Sequence, residues 1–545
     1  MKKWSSMRMA ASPWLRSKNM LLGRRRRGMA SEDLCHHTPE DRSVEVPAAC
    51  GGRDRATSIG SVVSIGSIGS AGNDGDNATS SGADAERIHA AWSCCKRARC
   101  CLCVLMLLML LVLLSVAIQI PFLGCDPFYT SPDGKGQELA SCDVISRSGV
   151  CDGRVDDTSR LQAALVGCAA QQRRVVLHTG CRCSSLPLWL PPNSSLMLSQ
   201  DALLQAAPKF KWPCRLPGIS ELVRTGALQK MPALISATDV WNITLAGSGT
   251  IDGRGSDWWP RLTFGVELLA RPRLLQFENV TDVLIAGLTF TNPAHWTASF
   301  GGRRYTIRDV VIRSPGWGQA RNTDGIDIAA TDVHVDRADI SNGDDSICIK
   351  SPSANVLVEN SVVRQGNGLV IGTVWSGLSR DDQWVASVHN VTFRNCTALD
   401  TVFGCHIKYY PPQRGLVSNV LFENIFILQT AEARQRRINV GDWAGYAVGI
   451  HLQDQGRRRR RLQWQQLDSE AADYSMHVVN VTYRNISGRV QKGGEFFCSE
   501  YGPPTCRSIV LQDVNLSIAT GGDGCHFHGV AGNSRGHILP ESCAL

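Results

Sequence analysis

From about residue 240 onward, apolar and polar positions alternate in short runs that keep returning. The phrases are DVLIAGLTF (Asp282–Phe290), RYTIRDVVI (Arg304–Ile312), DVHVDRADI (Asp332–Ile340) and NVLVENSVV (Asn355–Val363), followed by NVTFRNCTA (Asn390–Ala398), NVLFENIFI (Asn419–Ile427), NVTYRNISG (Asn480–Gly488) and SIVLQDVNL (Ser508–Leu516). Alternation sends residues i and i+2 to one face of a strand. The Asn or Asp that punctuates each phrase tolerates a left-handed backbone and bonds its own main chain. The phrases begin 22, 28, 23, 35, 29, 61 and 28 residues apart, the interval of a solenoid. One such unit cannot bury its inner face alone, so stacked coils must share a core. The pattern predicts an all-β parallel β-helix. A β-propeller needs about four strands per blade, and these units are too short.

Two segments depart from the period. Asp156–Leu165 (DDTSRLQAAL) reads as a helix start, with Leu161, Ala164 and Leu165 on one side. A helix there would cap the solenoid's open end. Residues 429–473 contain five consecutive arginines, Arg457–Arg461, and read as an inserted surface loop.

Residues 100–120 (CCLCVLMLLMLLVLLSVAIQI) carry no charge, and about 20 apolar residues cross a bilayer as one helix. Lys96, Arg97 and Arg99 favour a cytosolic N-terminal side. The segment starts too late for a cleaved leader. The expectation is a single-pass type II membrane protein. It has a disordered basic cytosolic arm at 1–99, a transmembrane signal-anchor at 100–120 and a linker at 121–140. The β-helix domain at 141–545 then lies in the lumen or outside the cell.

Charge and cysteine follow the same division. Residues 1–99 hold 16 Lys and Arg against 10 Asp and Glu, and the rest of the chain 41 against 39. The basic excess belongs to the arm and lines no groove, which argues against nucleic acid as a partner. Seven cysteines lie at or before Cys103 and fourteen at or after Cys125. The latter fit disulfides in an oxidising compartment. By proximity the first candidate pair is Cys498 with Cys506, and the next Cys525 with Cys543.

The chemistry gathers in two phrases, NTDGIDI around Asn322, Thr323 and Asp324, and GDDSICIK around Gly343, Asp344 and Asp345. Asp324 and Asp345 are 21 residues apart, about one coil. Asn367 follows after 22 more, and Lys408 after a further 41, or about two coils. Residues one coil apart stack about 4.8 Å apart, so the spacing predicts one patch. Crowded carboxylates cannot all ionise, so at least one keeps its proton. Glycoside hydrolysis needs such a proton donor beside an ionised carboxylate that activates water. An Asp-rich calcium corner is the competing reading.

At these residues the chain resembles glycoside hydrolase family 28, the polygalacturonases. The family's Asn-Thr-Asp and Gly-x-Asp-Asp motifs stand intact, Gly-His-Gly is altered to Gly366-Asn367-Gly368, and Arg-Ile-Lys to His406-Ile407-Lys408. GSGTIDGRGSDWW (Gly247–Trp259) and FTNPAHWTASF (Phe290–Phe300) match more weakly. The resemblance covers residues 140–545. It implies a right-handed parallel β-helix and inverting hydrolysis of a pectin-like polygalacturonan by a monomer, with neither metal nor cofactor. Asp344 would be the general acid, and Asp324 and Asp345 would activate the water. Lys408, His406, Asn367 and Asn322 would bind the acidic polysaccharide. The family's substrate-binding tyrosine stays open among Tyr409, Tyr410 and Tyr446. Asn367 cannot titrate as the family histidine does, and His406 lacks the arginine fork. Two alternatives follow, a rhamnogalacturonan hydrolase of the same family and a non-catalytic polyuronide-binding protein. Trp296 is a candidate for sugar stacking or for plain packing.

Asn193, Asn242, Asn279, Asn390, Asn395, Asn480, Asn485 and Asn515 each begin an N-x-Ser/Thr acceptor pattern. Several sit at the repeated corner, where asparagine also has a structural task.

Overall fold

The repeated alternation becomes strands whose alternate side chains bury, as in Ile326–Asp336, where Val333 and Val335 enter the core while Asp332 stays outside. The computed structural model describes residues 142–213, 231–259, 271–316, 319–374, 386–409, 415–433, 445–452, 476–498 and 504–545, with Met106 alone before them. The basic arm, the linker and Arg457–Arg461 lie outside the described residues, as does the anchor apart from Met106. Among the described residues no helix is long and apolar enough to cross a membrane.

Strands stack coil upon coil in three parallel ladders, and residues on the same rung of successive coils pair in register. The corner between the first two ladders repeats one conformation. Asn242, Asp282, Arg304, Asp332, Asn355, Asn390, Asn419, Asn480 and Ser508 all hold φ between 56° and 60°. Side chains there bond along the solenoid: Asn355 Nδ2 donates to Asp332 at 2.8 Å, Asn390 to Asn355 at 2.7 Å and Asn480 to Asn419 at 2.7 Å. A second corner does the same through Asn360, Asn395, Asn424 and Asn485. Most of the acceptor-pattern asparagines are therefore rungs of these ladders. Asn515 is exposed on a strand and does not share the left-handed corner conformation.

Between the ladders lies one continuous core. Phe393, Phe422 and Tyr483 stack in successive coils with centroids 5.0 and 5.1 Å apart, close to the strand spacing. At the N-terminal end, helix α1 (Thr158–Ala170) buries Leu161, Ala164, Leu165 and Cys168. Its Gln162 exchanges hydrogen bonds with the Trp189 backbone at 2.8 and 2.9 Å. Disulfides join Cys142 to Cys168, Cys151 to Cys183, Cys498 to Cys506 and Cys525 to Cys543.

One ladder carries the site. Its strands include β1 (Leu275–Ala286), β2 (Ala298–Arg308), β3 (Ile326–Asp336), β4 (Ile347–Ile349), β5 (Leu369–Val374), β6 (Phe403–Tyr409), β7 (Tyr446–Leu452) and β8 (Lys492–Phe497). β7 corrects the sequence reading of 429–473 as a single loop. Tyr446–Leu452 pairs between β6 and β8 as a full rung of the solenoid. Long excursions on either side of one short strand hid it from the period.

Candidate active site

The register Leu275–Ala298–Ile326–Ile347–Leu369–Cys405 runs straight across the ladder. Two residues earlier on each strand, the same rung holds Arg273, Trp296, Asp324, Asp345, Asn367 and Phe403, and pairing carries it on to Tyr446 and Lys492. The chain thus lays two acids and an amide between a cation–aromatic pair on each side. Asp344 precedes Asp345 and joins the acids, and one oxygen from each of Asp324, Asp344 and Asp345 lies within 4.8 Å of the others. That span suits one water or one cation.

Asn367 ties the acids together. Its Nδ2 donates to Asp344 Oδ1 and Asp345 Oδ1, each at 2.9 Å. Asp344 also accepts from the Asp345 backbone at 2.9 Å and from the Asn322 backbone at 3.3 Å. The Asn322 carboxamide oxygen faces outward to the Arg271 guanidinium at 3.3 Å. Asp345 further accepts from Lys408 Nζ at 2.7 Å.

Lys408 corrects one detail of the spacing. It lies one coil beyond Asn367, not two, because residues between β5 and β6 lengthen that coil. Reaching Asp345 from β6 means crossing β5, and Gly372 makes room. A Cβ at Gly372 would stand 3.0 Å from Lys408 Cγ and 2.0 Å from its carbonyl oxygen.

These contacts separate the proton affinities. Burial, reinforced by the Asp345 charge, pushes the Asp344 carboxyl up to about 6. Burial also works to raise Asp345, but Lys408, Lys350 and Asn367 outweigh it and hold that carboxyl below the usual range. Burial pushes Asp324 well upward, with Asp327, Asp344 and Asp345 adding to it. Asp345 is therefore the fixed anion of the three.

Around this centre stand Lys350, Asp327, Arg271, Arg273 and His451, which the sequence reading did not single out, beside the candidates Trp296 and His406. Lys350 bonds Asp327 at 3.0 Å and sits 3.9 Å from Asp324. Both lay inside the quoted phrases NTDGIDI and GDDSICIK, so the signal was present. Arg271 donates to the backbone oxygens of Ala294 and Arg321 at 2.7 Å each. Trp296 lies under two cations, Arg273 at 4.2 Å and Lys350 at 4.7 Å from its ring centroid. His406 stacks on Phe403 with centroids 3.8 Å apart, and its Nε2 is 3.1 Å from His451 Nδ1. His451 Nε2 in turn meets Glu495 at 2.6 Å. Burial, then the His451 and Lys408 charges, hold His406 well below the usual imidazole range. It is a neutral, packed ring rather than a cationic fork. Of the tyrosines, Tyr409 is buried and donates to the Cys498 carbonyl at 2.9 Å, Tyr410 is outside the described residues, and Tyr446 is on the rung. A shallow groove of about 600 Å³ along the first corner, lined by Asn242, Asp282, Arg304 and Asp332, contains none of these residues.

Comparison with known proteins bears on the family and the fold. The family model described as glycosyl hydrolases family 28 matches residues 200–433. A polygalacturonase of Cryptomeria japonica is 25% identical over 67% of this chain and 67% of its own length. An endo-polygalacturonase of Pectobacterium carotovorum subsp. carotovorum is 28% identical over 53% of this chain and 75% of its own. In fold, a solved polygalacturonase from Erwinia carotovora ssp. carotovora superposes with a TM-score of 0.55 at 21% identity, covering 75% of this chain and all of that one.

Proposed function

The chain is a member of glycosyl hydrolases family 28, and on that premise we propose that it hydrolyses glycosidic bonds of a pectin-like polygalacturonan with Asp344 as general acid. The observation that carries the reading is the split between two adjacent carboxyls, Asp344 up to about 6 and Asp345 below its usual range. Environments that push two titratable groups apart assign acid and base between them. Asp344 gives its proton to the glycosidic oxygen as the bond to the anomeric carbon breaks. A water attacks that carbon and loses a proton to Asp345. Asp324, held toward its protonated form, orients the water by hydrogen bonding. Lys408 keeps Asp345 ionised and adds positive potential for a substrate carboxylate, and Tyr446 borders the same side.

The acids sit closer than the ~6.5–9.5 Å usual for an inverting pair, so inversion rests on the family resemblance. A second reading has its own support. His406 is buried and neutral, which favours a neutral sugar on that side, as in rhamnogalacturonan hydrolysis. The test is release of reducing ends from polygalacturonate and rhamnogalacturonan by the wild-type chain and by Asp344→Asn. Removing a general acid costs about 10²–10⁴ in rate. Equal release by both proteins, or none on either polymer, refutes the proposal, and binding without turnover leaves a polyuronide-binding protein.

The same reading keeps residues 100–120 as a signal-anchor and the β-helix domain outside the cytosol, acting as a monomer. Four disulfides among the described residues support an oxidising compartment. Helix α1 then covers the solenoid's first coil, and exposed Asn515 is the acceptor best placed to carry a glycan.

A further inference from the structure

Arg273 is a half-buried cation with no anion paired to it among the described residues. Among the described residues the only polar contact of its guanidinium is a long bond of 3.4 Å to the Ser299 hydroxyl, and no carboxylate stands within ion-pair distance. The site's lysines are each paired, Lys350 with Asp327 at 3.0 Å and Lys408 with Asp345 at 2.7 Å. Asp327, the acid that acts most on Arg273, is thus already taken, and Asp324 is pushed toward its neutral form. His295, stacked against Trp296 at 5.3 Å, is kept neutral by burial and by the surrounding cations. Partly desolvating a charge without a partner is costly. The guanidinium is also held in place, its central carbon 4.2 Å above the Trp296 ring. On the rung it lies two coils from Asp324, on the side opposite Tyr446 and Lys492.

We propose that Arg273, seated on Trp296, binds the carboxylate of a uronate residue on the N-terminal side of the carboxylate cluster, making the chain select de-esterified over methyl-esterified polymer at that subsite. The planar fork matches a carboxylate through two parallel bonds, whereas a methyl ester offers no charge. The inference rests on the hydrolase reading for its substrate class, and its binding arm separates the two.

The experiment compares the wild-type full chain with Arg273→Gln and Arg273→Lys on polygalacturonate and on the same polymer methyl-esterified. With Gln, KM for polygalacturonate rises at least about tenfold while kcat stays within about twofold, and both parameters on the ester stay within about twofold. Lys, keeping charge but losing the fork, falls between. An unchanged KM on polygalacturonate, or equal losses on both polymers, overturns the inference. If the wild-type protein cleaves neither polymer, the hydrolase reading fails on its own. Calorimetric binding of trigalacturonate then decides: about tenfold weaker binding by Arg273→Gln sustains the subsite, and equal or absent binding removes it. Should circular dichroism show Arg273→Gln misfolded, Arg273→Lys carries both arms.

Discussion

Replacing Lys408 by methionine keeps most of the side chain's volume and removes its charge, leaving Asp345 buried without a cation. At 2.7 Å, with an effective dielectric of about 20, the lost attraction is about 6 kcal/mol. Part of it is returned because the ammonium no longer has to be desolvated, and removing one partner of a buried pair costs about 3–5 kcal/mol in practice. The protein can relieve that cost by protonating Asp345. Its carboxyl is therefore raised once the Lys408 charge is gone, because burial alone favours the protonated form. The sign then follows by linkage. In the wild type, Asp345 is depressed, so it contributes stability above the unfolded carboxylate pKa and loses it as pH falls through the folded value. In Lys408→Met the carboxyl is raised, so it destabilises increasingly as pH climbs above the unfolded value. The variant's deficit in urea unfolding should therefore depend on pH, about 3 kcal/mol or more at pH 7 and smaller at pH 4, where its own Asp345 is protonated without cost. A deficit that is the same at both pH values would refute the claim that Lys408 acts through the Asp345 charge.

Hydrolysis should follow a bell-shaped pH profile. Asp344 must be protonated, so kcat/KM falls as pH rises past about 6, and the acid limb lies below the usual carboxylate range, where Asp345 takes up its proton. Gly372→Ala should lower kcat/KM by about tenfold or more, because its methyl meets Lys408 Cγ at 3.0 Å and its backbone holds φ +118°; steady-state kinetics showing wild-type rates would mean that Lys408 needs no such gap. Proton NMR of the first product formed should show the anomeric configuration opposite to the substrate's, and retention would reassign Asp345 or Asp324 as a nucleophile.

The repeat was readable because its causes are local. Alternation at Val333 and Val335, and left-handed backbones at Asp332 and Asn355, arise within a few residues of chain. The acids were readable for a related reason: no long excursion interrupts the coils between Asp324, Asp345 and Asn367, so sequence distance equalled stacking distance. That equality failed where coils lengthen. Residues before β6 displaced Lys408 by one coil from its expected place, and β7 vanished into what read as a loop, hiding His451 and leaving the candidate Tyr446 without a rung.

The amino-acid pattern alone determined a parallel solenoid with polar corners, and it put Asp324, Asp345 and Asn367 on one rung. Only the tertiary structure decided which charges meet. Lys408 reaches Asp345 across 63 residues through the gap at Gly372, His406 meets His451 across 45, and Arg273 is left without a carboxylate among the described residues. Strand pairing is a backbone matter that spacing encodes. The pairing of side-chain charges depends on which neighbour gets there first, and that is settled only when every coil is in place.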